Sequence, residues 1–112
     1  MIILHCIKER EWIEAKKNDY YGEKYIEAEG FIHCSDVNTF HKVAPNFRNA
    51  KENLLLLLIE TDKVKALIKW EDDGGYGTNY PHIYGLLNID AVVDVAPYIK
   101  DDNGDWIGEI NV

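Results

Sequence analysis

Leu54-Leu55-Leu56-Leu57-Leu58-Ile59 is an unbroken apolar run of six residues, and it narrows the folds open to this chain. It is far too short for the roughly 20 apolar residues of a membrane-spanning helix. With no polar position in the run, a strand made of it has no face to give to water. It must be covered on both sides. The run therefore reads as the central strand of a sheet packed on each face. Residues 2–7 are apolar apart from His5, too short for a helix, and read as a second buried strand.

The rest of the 112 residues fills in around these two strands. A chain of this length forms one domain, here residues 1–112, with a single core. Residues 9–17 have helix-forming composition, with Trp12, Ile13 and Ala15 toward the core. Residues 18–24 read as a turn-rich loop and residues 31–35 as a short strand after Gly30. Ser35 or Asp36 supplies a helix N-cap signal, and Val37, Phe40, Val43, Ala44 and Phe47 recur at helical spacing. Pro45 should end or kink that helix near Val43, because it lacks an N–H and crowds the preceding turn. Residues 64–71, 80–84 and 91–95 are expected strands, with Pro81 at an edge or a strand start. Residues 71–79 are expected, from their composition, as a flexible acidic loop. Residues 101–105 form a turn, and residues 106–110 are expected as a last hairpin arm. Strands outnumber helices and the helices come early, which predicts an α+β domain.

The net charge of −8 repels phosphate backbones and anionic lipid. It argues against general nucleic-acid binding and membrane docking while leaving room for a small nucleotide in a local pocket. The opening residues lack a basic-then-apolar export signal, so a cytoplasmic location with free thiols at Cys6 and Cys34 is expected.

Three histidines sit on expected strands. Side chains alternate along a strand, so Phe31, His33 and Ser35 share one face, with Ile32 and Cys34 on the other. Tyr80, His82 and Tyr84 likewise share a face opposite Ile83. With His5 on the first strand, three imidazoles can converge on one cleft. Trp70-Glu71 places a carboxylate near a strand end, either as an exposed terminus or as a group that orients a hydroxyl or accepts a proton in that cleft. His41 reads as a helix-surface residue.

Other chemistries fit less well. Zinc needs ligand spacings such as Cys-x-x-Cys or His-Glu-x-x-His, and neither occurs. His5-Cys6 and His33-Cys34 are neighbours that point to opposite faces, so each pair offers one ligand to a shared site. Cys34 lies near an expected helix start, where the dipole lowers a thiol's pKa. Alternation, however, turns it away from His33. Asp72, Asp73, Asp101, Asp102 and Asp105 lack the spacing of a calcium loop. Gly74-Gly75-Tyr76-Gly77 does not match a phosphate-cradling loop followed by a helix.

Taken in order, the segments resemble a family of small bacterial proteins known as domain of unknown function nine-five-two. The resemblance rests on His5 with Trp12, on Glu29-Gly30-Phe31-Ile32-His33-Cys34-Ser35, and on Leu56-Leu57-Leu58-Ile59. Trp70-Glu71 and Pro81-His82-Ile83-Tyr84-Gly85 complete it. It spans roughly residues 2–97. Lys8 stands where relatives tend to carry a helix-capping Thr, Tyr80 replaces a usual Phe, and Leu86 a usual Pro.

The resemblance implies the ADP-ribosylation superfamily: split, bent, mostly antiparallel sheets with two early helices flanking a nicotinamide-dinucleotide cleft. It also implies glycosidic chemistry through a cation-like sugar transition state, with NAD as substrate. In that scheme His5, His33 and Glu71 are catalytic, and Ser35, His82 and Tyr84 bind the nucleotide. No metal is implied. The expected function is nucleotide binding with glycosidic transfer or hydrolysis. The alternative is a non-catalytic metabolite-binding module with a His-lined pocket, and a third reading makes the histidines hydrogen-bonded core residues.

Overall fold

A computed structural model describes residues 1–72 and 74–112. Asp73, weighed above as a calcium ligand, lies outside the described residues. The chain starts in β1 (Ile2–Lys8), which pairs antiparallel with β4 (Ser35–Asp36) on one side and β5 (Leu54–Glu60) on the other. β5 pairs in turn with β9 (Val92–Pro97), giving the order β4-β1-β5-β9. The apolar run is thus interior to its sheet, as its composition requires.

Both faces of β5 are covered. Leu57 and Ile59 join Ile3, Ile7, Ile32 and Ile83 in one buried cluster. Leu56 and Leu58 join Leu4, Phe40, Ala44 and Tyr98 in another. Full burial of each such side chain is worth about 1.5–3 kcal/mol, so this strand anchors two cores at once.

The first cluster lies between two sheets. A three-stranded sheet, β3 (Ile32–His33), β7 (Tyr80–Tyr84) and β6 (Leu67–Glu71), has β7 in the middle. Its inner face carries Ile32 and Ile83, both buried against the four-stranded sheet. Its outer face carries His33, His82, Tyr84, Lys69 and Glu71. A third, two-stranded pairing joins β2 (Tyr20–Tyr21) to β8 (Leu87–Asn88).

Pro81 shapes the junction between the two larger sheets. The Cys34 N–H donates to the Pro81 carbonyl at 3.1 Å. In an antiparallel pair the return bond comes from the same residue's N–H, which proline lacks. The β3–β7 ladder stops there, and the chain crosses over to pair with β1 as β4. The missing donor faces β3, so the β6–β7 ladder runs past it with Trp70 opposite Pro81. Pro81 is near the start of β7, as expected, although β7 is central.

Helices fill the remaining space. α1 (Glu9–Ala15) starts at Lys8, which makes no side-chain capping bond, in line with the absent Thr. α2 (Glu23–Glu29) corrects the loop expected through residue 24. It begins at Gly22 and ends at Gly30, both with left-handed φ (110° and 87°). α3 (Phe40–Val43) is shorter than its periodicity predicts and passes into a 3-10 turn, Ala44–Phe47. It ends at Val43, where Pro45 was expected to stop it. The N-cap expected at Ser35 or Asp36 falls instead at Thr39, which makes no side-chain capping bond. The Asp36 carboxylate, at the end of β4, closes the turn before the helix by accepting from the Thr39 N–H and hydroxyl, both at 2.7 Å. The expected hairpin arm at 106–110 reduces to a single bridge between Lys100 and Trp106. The fold among the described residues is α+β, with three short α-helices and antiparallel pairings. Among the described residues no helix is long and apolar enough to cross a membrane.

Candidate functional site

His33 and His82 face each other across β3 and β7. Because the Cys34–Pro81 position beside them carries the ladder bond, theirs is the close, non-hydrogen-bonded kind of pair, with Cα atoms about 4.5 Å apart. Their rings meet edge to face at 5.3 Å. Phe31 folds over the pair. Its ring stacks on His82 at 4.1 Å and 18°, and touches His33 at 4.8 Å and Tyr84 at 5.2 Å. His82 is thereby 1% exposed although it lies on the sheet's outer face.

Glu71 is the polar centre. Its Oε1 accepts from the Tyr84 hydroxyl and from His82 Nδ1, the latter at 3.0 Å. These two donors, Tyr84 first, hold the carboxyl below the usual carboxylate range. An ionised carboxylate only accepts, so the His82 proton on this side sits on Nδ1. The Glu71 side chain is 38% exposed, so an oriented anion stands within reach of a ligand.

Two further charges flank it. Lys69, opposite His82 on β6, lays its ammonium 4.9 Å from the Tyr84 ring centre. On the other side His33 Nε2 meets Glu29 Oε2 at 2.8 Å, a pair made possible by the sharp turn at Gly30. The His33 side chain is 46% exposed.

The structure brings His33, His82, Tyr84 and Glu71 together and leaves His5 apart. β1 alternation points His5 into the core between the sheets, 4% exposed, with the β3 backbone between it and the His33 ring. This corrects the expected convergence of three imidazoles on one hollow. His5 Nδ1 donates to the His33 carbonyl at 2.7 Å, and Nε2 accepts from the Tyr21 hydroxyl at 3.0 Å. Tyr25 adds an edge-on ring contact at 5.4 Å. Desolvation pushes the His5 pKa down to about 4, so it is a neutral, hydrogen-bonded core residue. Ser35 is buried in β4 and pairs with Leu4. The expected alternation from His33 to Ser35 fails because the chain changes sheets at Cys34.

Among the described residues no three His, Cys, Asp or Glu side chains are grouped to hold a metal ion. The thiols are also far from nucleophilic. Burial pushes Cys6 up to about 12 and raises Cys34 as well, and Cys34 Sγ points to the Ile32 carbonyl. Two cavities, of 240 and 390 Å3, are lined by other residues, the first around Glu52 and Tyr98 and the second around Tyr20 and Asn88.

Sequence reasoning passed over Lys69 and Glu29 as site residues and gave Phe31 only a face. Glu29 carried a signal, four residues before His33 across a glycine. Lys69 carried none, because its place beside His82 is a matter of strand register.

Fold and site define an α+β protein of antiparallel sheets with a histidine, carboxylate and tyrosine cluster on the outer face of one sheet. The chain belongs to the family described as Protein of unknown function (DUF952), whose model matches residues 6–95. It is similar to the protein CC0527 from Caulobacter crescentus. A crystal structure of that protein has 29% identity and a TM-score of 0.82, covering 96% of this chain and 94% of that one. The solution NMR structure of the same protein has 30% identity and a TM-score of 0.75, covering 92% and 89%. No functionally curated sequence matches.

Proposed function

We propose that the protein binds a nucleotide, NAD or an ADP-ribose derivative, on the outer face of the three-stranded sheet, and that Glu71 serves glycosidic transfer or hydrolysis there. The observation that carries this reading is the Glu71 carboxylate, held ionised by Tyr84 and His82 yet open to solvent. Breaking the bond between nicotinamide and ribose leaves positive charge on the sugar, which a fixed carboxylate stabilises. Nicotinamide leaves with the bonding electron pair. The oxygen of water or of an acceptor hydroxyl then bonds to the sugar carbon, and its proton passes to a base.

His33, half-exposed next to His82, offers Nδ1 as the base, since its Nε2 faces the Glu29 carboxylate. Phe31 and Tyr84 supply aromatic faces for a planar ring. Both protein donors meet at Oε1, so the reading gives Oε2 to the ligand. The proposal includes an ADP-ribosylation type of fold, supported by the family resemblance and by antiparallel sheets with early helices. His5 and Ser35, to which the resemblance gives roles, lie off this outer face: His5 stands behind β3 and Ser35 is buried in β4. An acidic surface favours a small-molecule or protein acceptor over RNA.

The Phe31–His82 stack favours a second reading, a binding module without chemistry. One experiment separates the readings. Thermal unfolding is followed with and without NAD and ADP-ribose; at a hundredfold excess over the dissociation constant, binding adds about 2.7 kcal/mol of stability. Nicotinamide release from NAD is then measured over hours. Stabilisation with release supports the enzyme, stabilisation alone the binder, and no stabilisation by either compound rejects both.

A further inference from the structure

Register places Lys69, His82 and His33 side by side on β6, β7 and β3, a transverse row of nitrogen-bearing side chains on one face. Adjacent strands are about 4.8 Å apart, so the row spans roughly 10 Å between the backbones of its outer members. The members differ in what they meet. His82 is given to Glu71 and covered by Phe31. His33 meets the Glu29 carboxylate. The Lys69 ammonium rests over the face of the Tyr84 ring, on an exposed strand position, close enough to Glu71 for its charge to act on that carboxylate.

A lysine parked on an aromatic face keeps its hydrogen-bonding capacity for a stronger acceptor. The ring contact is worth only about 0.5–1 kcal/mol at an exposed site, whereas hydrogen bonds to charged groups reach about 1.5–3 kcal/mol. An arriving phosphate would therefore draw the ammonium off the ring. Against a net charge of −8, a local cation is what draws an anion to this face, and it stands beside the aromatic surfaces.

We propose that Lys69 is the anion-recognising end of this row and selects phosphate-bearing ligands over the corresponding uncharged nucleosides. The proposal rests on the nucleotide reading above and specifies its substrate class. The ring moiety lies along Phe31 and Tyr84, and the phosphate reaches toward β6.

The test is calorimetric titration of the full chain with ADP-ribose, adenosine and inorganic pyrophosphate at two salt concentrations, for wild type, Lys69→Gln and Lys69→Arg. Each variant's unfolding midpoint is recorded beside it. The expected result is that Lys69→Gln weakens ADP-ribose and pyrophosphate roughly tenfold, the equivalent of about 1.4 kcal/mol. It leaves adenosine unchanged and flattens the salt dependence, and Lys69→Arg restores most of the loss. Unchanged ADP-ribose affinity in Lys69→Gln overturns the inference and leaves the nucleotide reading standing. Lys69-dependent pyrophosphate binding without ADP-ribose binding does the reverse. No binding of any probe by the wild type removes both.

Discussion

The ring of His5 and the main chain of His33 are joined directly: Nδ1 of the buried imidazole donates to the carbonyl of the exposed one at 2.7 Å. One histidine thus braces the strand that presents the other. The bracing costs solvation, since the His5 ring is sealed among Tyr21, Tyr25 and the β3 backbone.

That cost predicts a pH dependence of stability. The folded pKa, about 4, is below the ordinary 6.5, so the unfolded chain takes up the proton first. The stability tied to neutral His5 is fully present above pH 6.5 and is lost as pH falls toward 4. At about 1.4 kcal/mol per unit, the loss across that window is on the order of 3 kcal/mol. Urea unfolding at several pH values reads it directly. His5→Gln should flatten the slope between pH 6.5 and 4, and an unchanged slope would contradict the assignment.

The glycines bounding α2 should respond differently to alanine. Gly30 has φ 87° and open space where a Cβ would go, so Gly30→Ala meets only backbone strain, about 1 kcal/mol. A Cβ on Gly22, at φ 110°, would sit 2.4 Å from Ile32 Cδ1 in the core. Gly22→Ala should therefore cost more, about 2–4 kcal/mol in all. Equal shifts in the two unfolding midpoints would argue against this packing.

Thiol chemistry should report the fold. With Cys6 and Cys34 both held protonated by burial, neither reacts readily with iodoacetamide in native protein near neutral pH, and both react once urea unfolds it. Rapid native labelling of Cys34 would contradict its burial.

At the candidate site, Glu71→Gln keeps the shape and removes the charge. Any nicotinamide release should be abolished while the unfolding midpoint stays near wild type. Tyr84→Phe removes one of the two donors to Oε1 and should lower turnover by roughly ten- to a hundredfold. Unaltered turnover in Glu71→Gln would exclude the carboxylate from the chemistry.

Much of the scaffold was legible because it follows from composition at single positions. An apolar residue at every place from Leu54 to Ile59 could only be interior, and Pro45 could only stop α3. α2 was hidden by Gly22 and the turn residues ahead of it, which resemble a loop until helix and core are seen together. The His33–His82 pair was half legible: alternation gave each ring its face, but their register depends on where Pro81 interrupts a ladder. His5 was misplaced for a related reason. Alternation sets its face on β1, but the stacking order of the sheets, which turns that face inward, is written in no local pattern.

The most direct test of the account is an NMR titration of isotope-labelled protein with ADP-ribose. The account predicts chemical-shift changes concentrated on Phe31, His33, Lys69, Glu71, His82 and Tyr84. Changes confined to the cavity around Tyr20 and Asn88, or none at millimolar ligand, would contradict it.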